Sequence, residues 1–479
     1  MAMSSPHSAP TKPPSYGGSA TQPPDPGGLI RIADGCVITM DPEVGDFSRG
    51  DVLIEGDTIV AVGPDLEGEE AQRIDARGFI VMPGFVDTHR HMWQGQLRRM
   101  IPNVDISMYL GLRNAFAAEY RPEDSHAGTL VTALGAVYSG VTTVQDYAHN
   151  TRSADHADAE IEALNRAGIR AVYACAPPEA GEWDQQWPDD LARLNEVLAG
   201  NPLVSLRMGQ RCFSDVDNMT AERIQIARDL GIGMTLDPVA WDEGTAAILS
   251  VAEQGLLGPD LVFVHCFDLS DEAWAEMGAA QVAVSLSPFV DELLGWGGGG
   301  LPTVQRALDV GIHPGLSVDI ETTVPTDVFA QMRALLAVQR MRGSLGNLEL
   351  DRPQMTARDA VATATIHGAS TLGLDDVCGT LSPGKQADLI MIDCTSPNIV
   401  PMNNAFGTVA LGADVHSVRA VLVAGTVRKW GDSLLGIDLE EVKSTVEKSR
   451  DTLAARVGFE LDVFADYPSV DFGTHTLRV

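Results

Sequence analysis

From residue 29 onward the chain alternates short apolar runs with Gly- and Asp-rich breaks: "GLIRIADGCVITM", "GDVLIEGDTIVAVG" and "QRIDARGFIVMPG". Runs of this length and residue type, bounded by turn formers, predict β-strands. After residue 84 the rhythm changes to a strand followed by a long helical stretch, repeated. The apolar runs are "GFVDTH", "GVTTVQDY", "IRAVYACA", "LVSLRMGQ", "GIGMTLDP", "LVFVHCFD", "VAVSLSP" and "HPGLSVDI". Segments such as "DAEIEALNRAG" and "TAERIQIARDLG" are long enough for crossover helices. Alternating β and α units predict a parallel sheet, and eight of them predict a closed (β/α)8 TIM barrel of the α/β class. "ADLIMIDC" and "VRAVLVAGTVRKW" then return to the β texture of the beginning. The pattern divides the chain into residues 29–82 and 381–435, two parts of one small composite β-sandwich domain, around a barrel at 83–380. Residues 436–479 read as a helical and irregular extension.

Composition narrows this picture. The first 28 of the 479 residues are rich in Pro, Gly and Ser and lack the apolar stretch of a signal peptide, so they read as a disordered leader. No apolar run approaches the ~20 residues that span a bilayer. The formal net charge is −33, from 66 acidic and 33 basic residues. A field of that sign repels phosphate backbones and anionic lipid, which argues against nucleic-acid and membrane partners; it is also compatible with a saline habitat. Six scattered cysteines without a CxxC pair suggest reduced thiols in a cytoplasmic protein.

In a barrel of this kind chemistry sits at the C-terminal ends of the strands. Those ends carry His89 and His91 (first), Asp146 and His149 (second), Gln210 (fourth), Asp237 (fifth), His265 (sixth) and Asp319 (eighth). Residues two apart on a strand share a face, so His89 and His91 face one point, while Arg90 turns to the other side and packs behind the barrel. Paired histidines on a strand are often only part-buried polar residues. Their place opposite Asp319 across the mouth makes a metal-ligating pair the stronger reading. His149, Gln210 and Trp93 are candidates for substrate contact, and Trp93 and Trp296 have faces that stack on planar molecules. "GWGGGG" at 295–300 reads as a loop over the pocket, not a phosphate loop. His126, His313 and His367 read as structural.

"PGFVDTHRH", "SGVTTVQD", "LVFVHC", "LSVD" and "TATIHGASTLGLDDVCGTLSPGKQADLIMID" together resemble the amidohydrolase superfamily, nearest to its cytosine-deaminase-like and triazine-hydrolase-like branch, over about residues 29–435. The resemblance implies a divalent metal at the barrel mouth and hydrolysis of a small molecule at an sp² carbon by a metal-activated water. It implies that His89 and His91 bind the metal. His265 would polarise the substrate or steer the water, and Asp319 would bind metal and take the water's proton. It also implies a homo-oligomer.

Members of the family with two metals bridge them by a lysine on the fourth strand. The lysines here are Lys12, Lys385, Lys429, Lys443 and Lys448, all outside the barrel, so a single ion is expected. Zinc comes first, with manganese, iron or cobalt as alternatives. The fifth strand departs from the family pattern of a histidine followed three residues on by a glutamate. "GMTLDPVAWDEG" has Asp237 and Ala240 at those places, and Glu243 lies out of frame. Asp237 either ligates as a carboxylate, or stays off the metal while His265 takes its place, or the site binds metal poorly. Without the glutamate, deamination of a nucleobase is disfavoured relative to hydrolysis of an amide, carbamate or other carbon–nitrogen or carbon–halogen bond. A diverged lyase or binding protein is the alternative.

Overall fold

The computed structural model describes residues 23–24, 27–103, 105–211, 219–294, 303–342 and 354–466. All eight central apolar runs form strands: β1 (Phe85–Arg90), β2 (Val141–Ala148), β3 (Arg170–Cys175), β4 (Val204–Arg211), β5 (Met234–Val239), β6 (Leu261–His265), β7 (Ala283–Leu286) and β8 (Gly315–Leu316). Each neighbouring pair runs parallel, in the order of the chain. Helices cover the outside and side chains fill the inside, so β1, β2, β3 and β6 are buried along their whole length. That is why β3 and β6 read as near-continuous apolar runs and do not alternate, while β1 and β2 carry polar side chains even though they are buried.

The eighth strand is short, and the barrel closes just beyond it. The Asp319 amide donates to the His89 carbonyl at 2.9 Å, and the His91 amide donates to the Asp319 carbonyl at 3.0 Å. The closing seam is therefore the backbone that carries three of the candidate ligands. Below it the interior is a hydrogen-bonded polar layer. Thr88 Oγ1 lies 2.6 Å from Ser285 Oγ, and the Gln145 amide reaches the Thr88 carbonyl at 2.8 Å and accepts from Thr235 Oγ1 at 2.7 Å. Buried polar groups satisfied in this way fix the strand register beneath the mouth.

The two chain ends meet in one nine-stranded sheet. Leu389–Asp393 pairs antiparallel with Phe79–Pro83, with Ile390 opposite Met82. Side chains alternate across it. Ile80, Met82, Ile390 and Ile392 join the core shared with the barrel, whereas Val81, Leu389 and Met391 join a second core with Ile30, Ile32, Val52 and Ile54. The buried ion pair of Arg170 with Asp388, at 2.7 Å, ties this sheet to β3.

Three helices matter for the site and its surroundings: α1 (Ile106–Ala117), α2 (Pro122–Tyr138) and, after the second part of the sheet, α3 (Leu439–Val457). The carboxylate of Asp105 caps α1 through the Met108 amide at 3.0 Å, satisfying one of the orphan donors of a helix start. Ser449 of α3 donates to Asp124 of α2 at 2.7 Å. No described helix is long and apolar enough to cross a membrane. The glycine-rich loop at 295–300 with Trp296, and nearly all of the proposed leader, lie outside the described residues.

Candidate metal centre and active site

Five side chains converge at the C-terminal mouth of the barrel. His91 Nε2 is 3.1 Å from Asp319 Oδ1 and 3.7 Å from Asp237 Oδ2. His89 Nε2 is 3.4 Å from Asp319 Oδ1 and 3.6 Å from Asp237 Oδ2. His265 Nε2 is 3.3 Å from Asp237 Oδ1 and 3.7 Å from Asp319 Oδ2. All five are buried. Both ring nitrogens of His89 and one oxygen of Asp237 make no hydrogen bond among the described residues. Buried polar atoms are normally satisfied, and leaving them bare costs free energy. A divalent cation among imidazole nitrogens and carboxylate oxygens removes that cost, so the donor set fits a metal.

The surroundings orient these donors. His91 Nδ1 lies 3.3 Å from the Tyr147 carbonyl, an acceptor only, which puts the proton on Nδ1 and the lone pair on Nε2. His265 Nδ1 lies 2.7 Å from Asp291 Oδ1, on the short helix Pro288–Leu293 that follows β7. Burial opposes charge on His265, but Asp291 and Asp237 raise its pKa well above the ordinary imidazole value. Burial also opposes ionisation of Asp237, yet the facing imidazoles, His89 foremost, hold its carboxyl down at about 2. Asp319 is held well below the carboxylate range, against burial, by His89 and His91. His265 (φ 71°) and Asp319 (φ 68°) both adopt the left-handed backbone region, at a cost of order 1–3 kcal/mol for each such residue. Strain at two of the five converging residues is what a site fixed by its surroundings shows.

Arg90 is on the opposite face, as the spacing requires. It is fully buried, donating to Asp87 and to Glu321 at 2.7 Å each, and Glu321 also holds Arg98. These ion pairs lock the end of β1 from behind.

The site opens into a cavity of about 80 Å³. Its wall includes Tyr109 and Arg113 of α1, Glu179 after β3, Arg211 at the end of β4, and Trp241 after β5. The three side chains expected to touch substrate lie elsewhere. Trp93 is buried in the core, edge-on to Tyr120 at 4.9 Å, with its Nε1 3.4 Å from His149 Nδ1. His149 packs behind His91, ring centres 4.3 Å apart. Gln210 is buried and donates to Thr220 Oγ1 at 3.3 Å. The open aromatic face in the cavity belongs to Trp241, 44 % exposed and set against Phe267 at 5.1 Å. Trp93 sits in the 3-10 turn straight after β1, which folds back onto the helices; nearness in sequence to His91 does not place it on the cavity wall.

The remaining positions are simpler. Asp146 accepts from the Met92 amide at 3.2 Å and stays apart from the converging donors, its carboxyl pushed well up by burial. Ala240 is buried as the cap of the helix Trp241–Glu253, and Glu243 is exposed. His313 and His367 stack on each other, centres 4.7 Å apart, and His126 lies on α2. Sequence reading missed Asp291, Tyr109, Arg113, Glu179, Arg211 and Trp241: Arg211 is the last residue of β4, next to Gln210, and the others stand on helices or loops with no strand-end spacing that singles them out.

The sequence profile of the amidohydrolase family matches residues 80–200 and 223–427. The chain belongs to the amidohydrolase family. It is 30 % identical, over 83 % of its length and 92 % of the relative's, to the 5-methylthioadenosine/S-adenosylhomocysteine deaminase of Symbiobacterium thermophilum. Against the 5'-deoxyadenosine deaminase of Methanosarcina mazei the identity is 25 %, over 89 % and 99 %. Among solved structures, a zinc-bound adenosine deaminase from Xanthomonas campestris superimposes with a TM-score of 0.80 at 20 % identity, covering 90 % of this chain and all of that one. A zinc complex of atrazine chlorohydrolase from Arthrobacter aurescens gives 0.74 at 22 %, covering 88 % and 100 %. These two likenesses show the shared barrel and sheet. As an amidohydrolase the chain is a metal-dependent hydrolase of carbon–nitrogen bonds. The alternative of a lyase or binding protein draws no support from these relatives.

Proposed function

We propose that this amidohydrolase uses one divalent ion, zinc foremost, held by His89, His91, Asp237 and Asp319. The reaction is hydrolysis of a carbon–nitrogen bond in a small amide, carbamate or amino-heterocycle. The observation that carries this reading is the convergence of three imidazole Nε2 atoms on the Asp237 and Asp319 carboxylates at 3.1–3.7 Å. When bound, such an ion supplies Lewis acidity and lowers the pKa of a water at the site. Asp319 takes that water's proton. His265 is held protonated by Asp291 and donates from Nε2 to the oxygen on which negative charge develops. Trp241 offers its open face to a planar substrate.

Bound zinc in the adenosine deaminase and atrazine chlorohydrolase structures supports the choice of metal. Two carboxylates in the shell also suit manganese, iron or cobalt. The deaminase relatives keep amino-heterocycles among the candidate substrates. Ala240 gives no acid to protonate a ring nitrogen, and the cavity's glutamate, Glu179, is tied to two arginines. For an amino-heterocycle the ring nitrogen would therefore take its proton from His265, while the leaving nitrogen receives the proton that Asp319 took from water. A cytoplasmic, homo-oligomeric enzyme completes the reading; the five described cysteines are all free.

The test is ammonia or amine release by metal-replete protein from a panel of amides, carbamates and amino-heterocycles, alongside His265→Ala. The variant should keep its metal and lose at least about 10²-fold in turnover, as when an oxyanion donor is removed. Loss of metal in His265→Ala would make that histidine a ligand and remove Asp237 from the shell.

A further inference from the structure

We propose that Arg113 and Arg211 form a subsite for a carboxylate on the substrate, with Glu179 as the internal anion that holds them when no ligand is bound. The proposal deepens the functional reading above and rests on it for the word substrate.

Arg113 belongs to the buried stripe of α1 with Tyr109, Leu112 and Phe116, and its side chain is only 8 % exposed. A guanidinium on that face is costly to desolvate, and a buried charge usually has its own partner. Arg113 instead shares one. Its Nη2 contacts Glu179 Oε2 at 2.5 Å, and Arg211 contacts the same oxygen. Nε and Nη2 of Arg113 also reach Asn114 Oδ1. Arg211, at the end of β4, has a side chain 51 % exposed. Among the described residues these two guanidinium groups share the one carboxylate of Glu179, which leaves one positive charge over within the triad, and all three residues line the cavity that holds His91, His265, Asp237 and Asp319.

A link between α1, the segment after β3 and the end of β4 would need only one ion pair, so the second arginine is unexplained by packing. The chain carries a net charge of −33, so its general field repels anions. With Asp237 and Asp319 balanced by the divalent ion they would hold, the arginine pair is a local positive surplus in the metal-loaded cavity and acts against that background. Its size selects the ligand: one surplus charge balances a monoanion, and a phosphate dianion would over-compensate it. The planar guanidinium fork matches the two oxygens of a carboxylate.

Benzoate and benzamide, equal in shape and different in charge, are the probes, with binding measured by calorimetry on the metal-loaded full chain. Benzoate should bind at least tenfold more tightly than benzamide. Arg211→Gln, at a half-exposed position, should erase the preference, and so should Arg113→Gln. Glu179→Gln, which removes the competing anion, should tighten benzoate. Equal binding of the two probes, or a benzoate preference that survives in Arg211→Gln, would overturn the subsite. The readout is independent of turnover. A protein that prefers benzoate but hydrolyses nothing would refute the functional reading alone, and one that hydrolyses amides without the preference would refute the subsite alone.

Discussion

His265 Nδ1 and Asp291 Oδ1 are 2.7 Å apart, so the imidazole that faces both site carboxylates is held from behind by a third acid. Asp291 is a positioning residue in this arrangement. Asp291→Asn should retain metal and KM while kcat falls 10–100-fold, the range found when outer partners of site histidines are lost. Steady-state kinetics with metal analysis on the same preparation checks it; an unchanged kcat would show that His265 needs no support.

Metal content follows from the donor set. The barrel contains no lysine and hence no bridging carbamate, so elemental analysis should find about one tightly held divalent ion per chain. His89→Ala and His91→Ala should each lose metal and activity together, since each removes a ligand. Two ions per chain would contradict the single-ion reading.

Asp237 decides metal preference. Asp237→His replaces a hard carboxylate by an imidazole, which favours zinc over manganese. In competition between the two ions, the variant should take up a larger fraction of zinc than the parent protein. An unaltered ratio, together with a raised KM, would move Asp237 from the metal shell to the substrate.

Glu160 makes stability depend on pH. It is buried, accepts from Tyr173 Oη at 2.6 Å, and burial pushes its pKa up to about 7 from 4.5. The folded state then holds a proton that the unfolded chain has released. The contribution is full below about pH 4.5 and is lost as pH rises to about 7, on the order of 3 kcal/mol in total. Glu160→Gln should flatten the decline in unfolding free energy between pH 4.5 and 7. A slope identical to that of the parent protein would remove Glu160 as its source.

Local periodicity explains what was legible in the sequence. Apolar runs separated by helical segments specify eight parallel strands, because strand and helix periods are properties of neighbours along the chain. The two-residue spacing of His89 and His91 puts them on one face and Arg90 on the other for the same reason, and the absence of barrel lysines needs no coordinates. Asp237 was recognisable as a strand-end residue out of pattern. What it faces was decided by the tertiary structure, because its distances to His89 and His265 depend on how the barrel closes. The seam between His89 and Asp319 is set by backbone bonds across 230 residues of chain, and no local pattern encodes it. Asp291, Arg113, Glu179 and Arg211 stand on a short helix, a helix face, a loop and a strand end, with no shared spacing. Trp93, two residues from His91, lies in the core, while Trp241 lies on the cavity wall. Packing of the turn after β1 against α2 takes the first away, and the end of β5 at the barrel mouth presents the second.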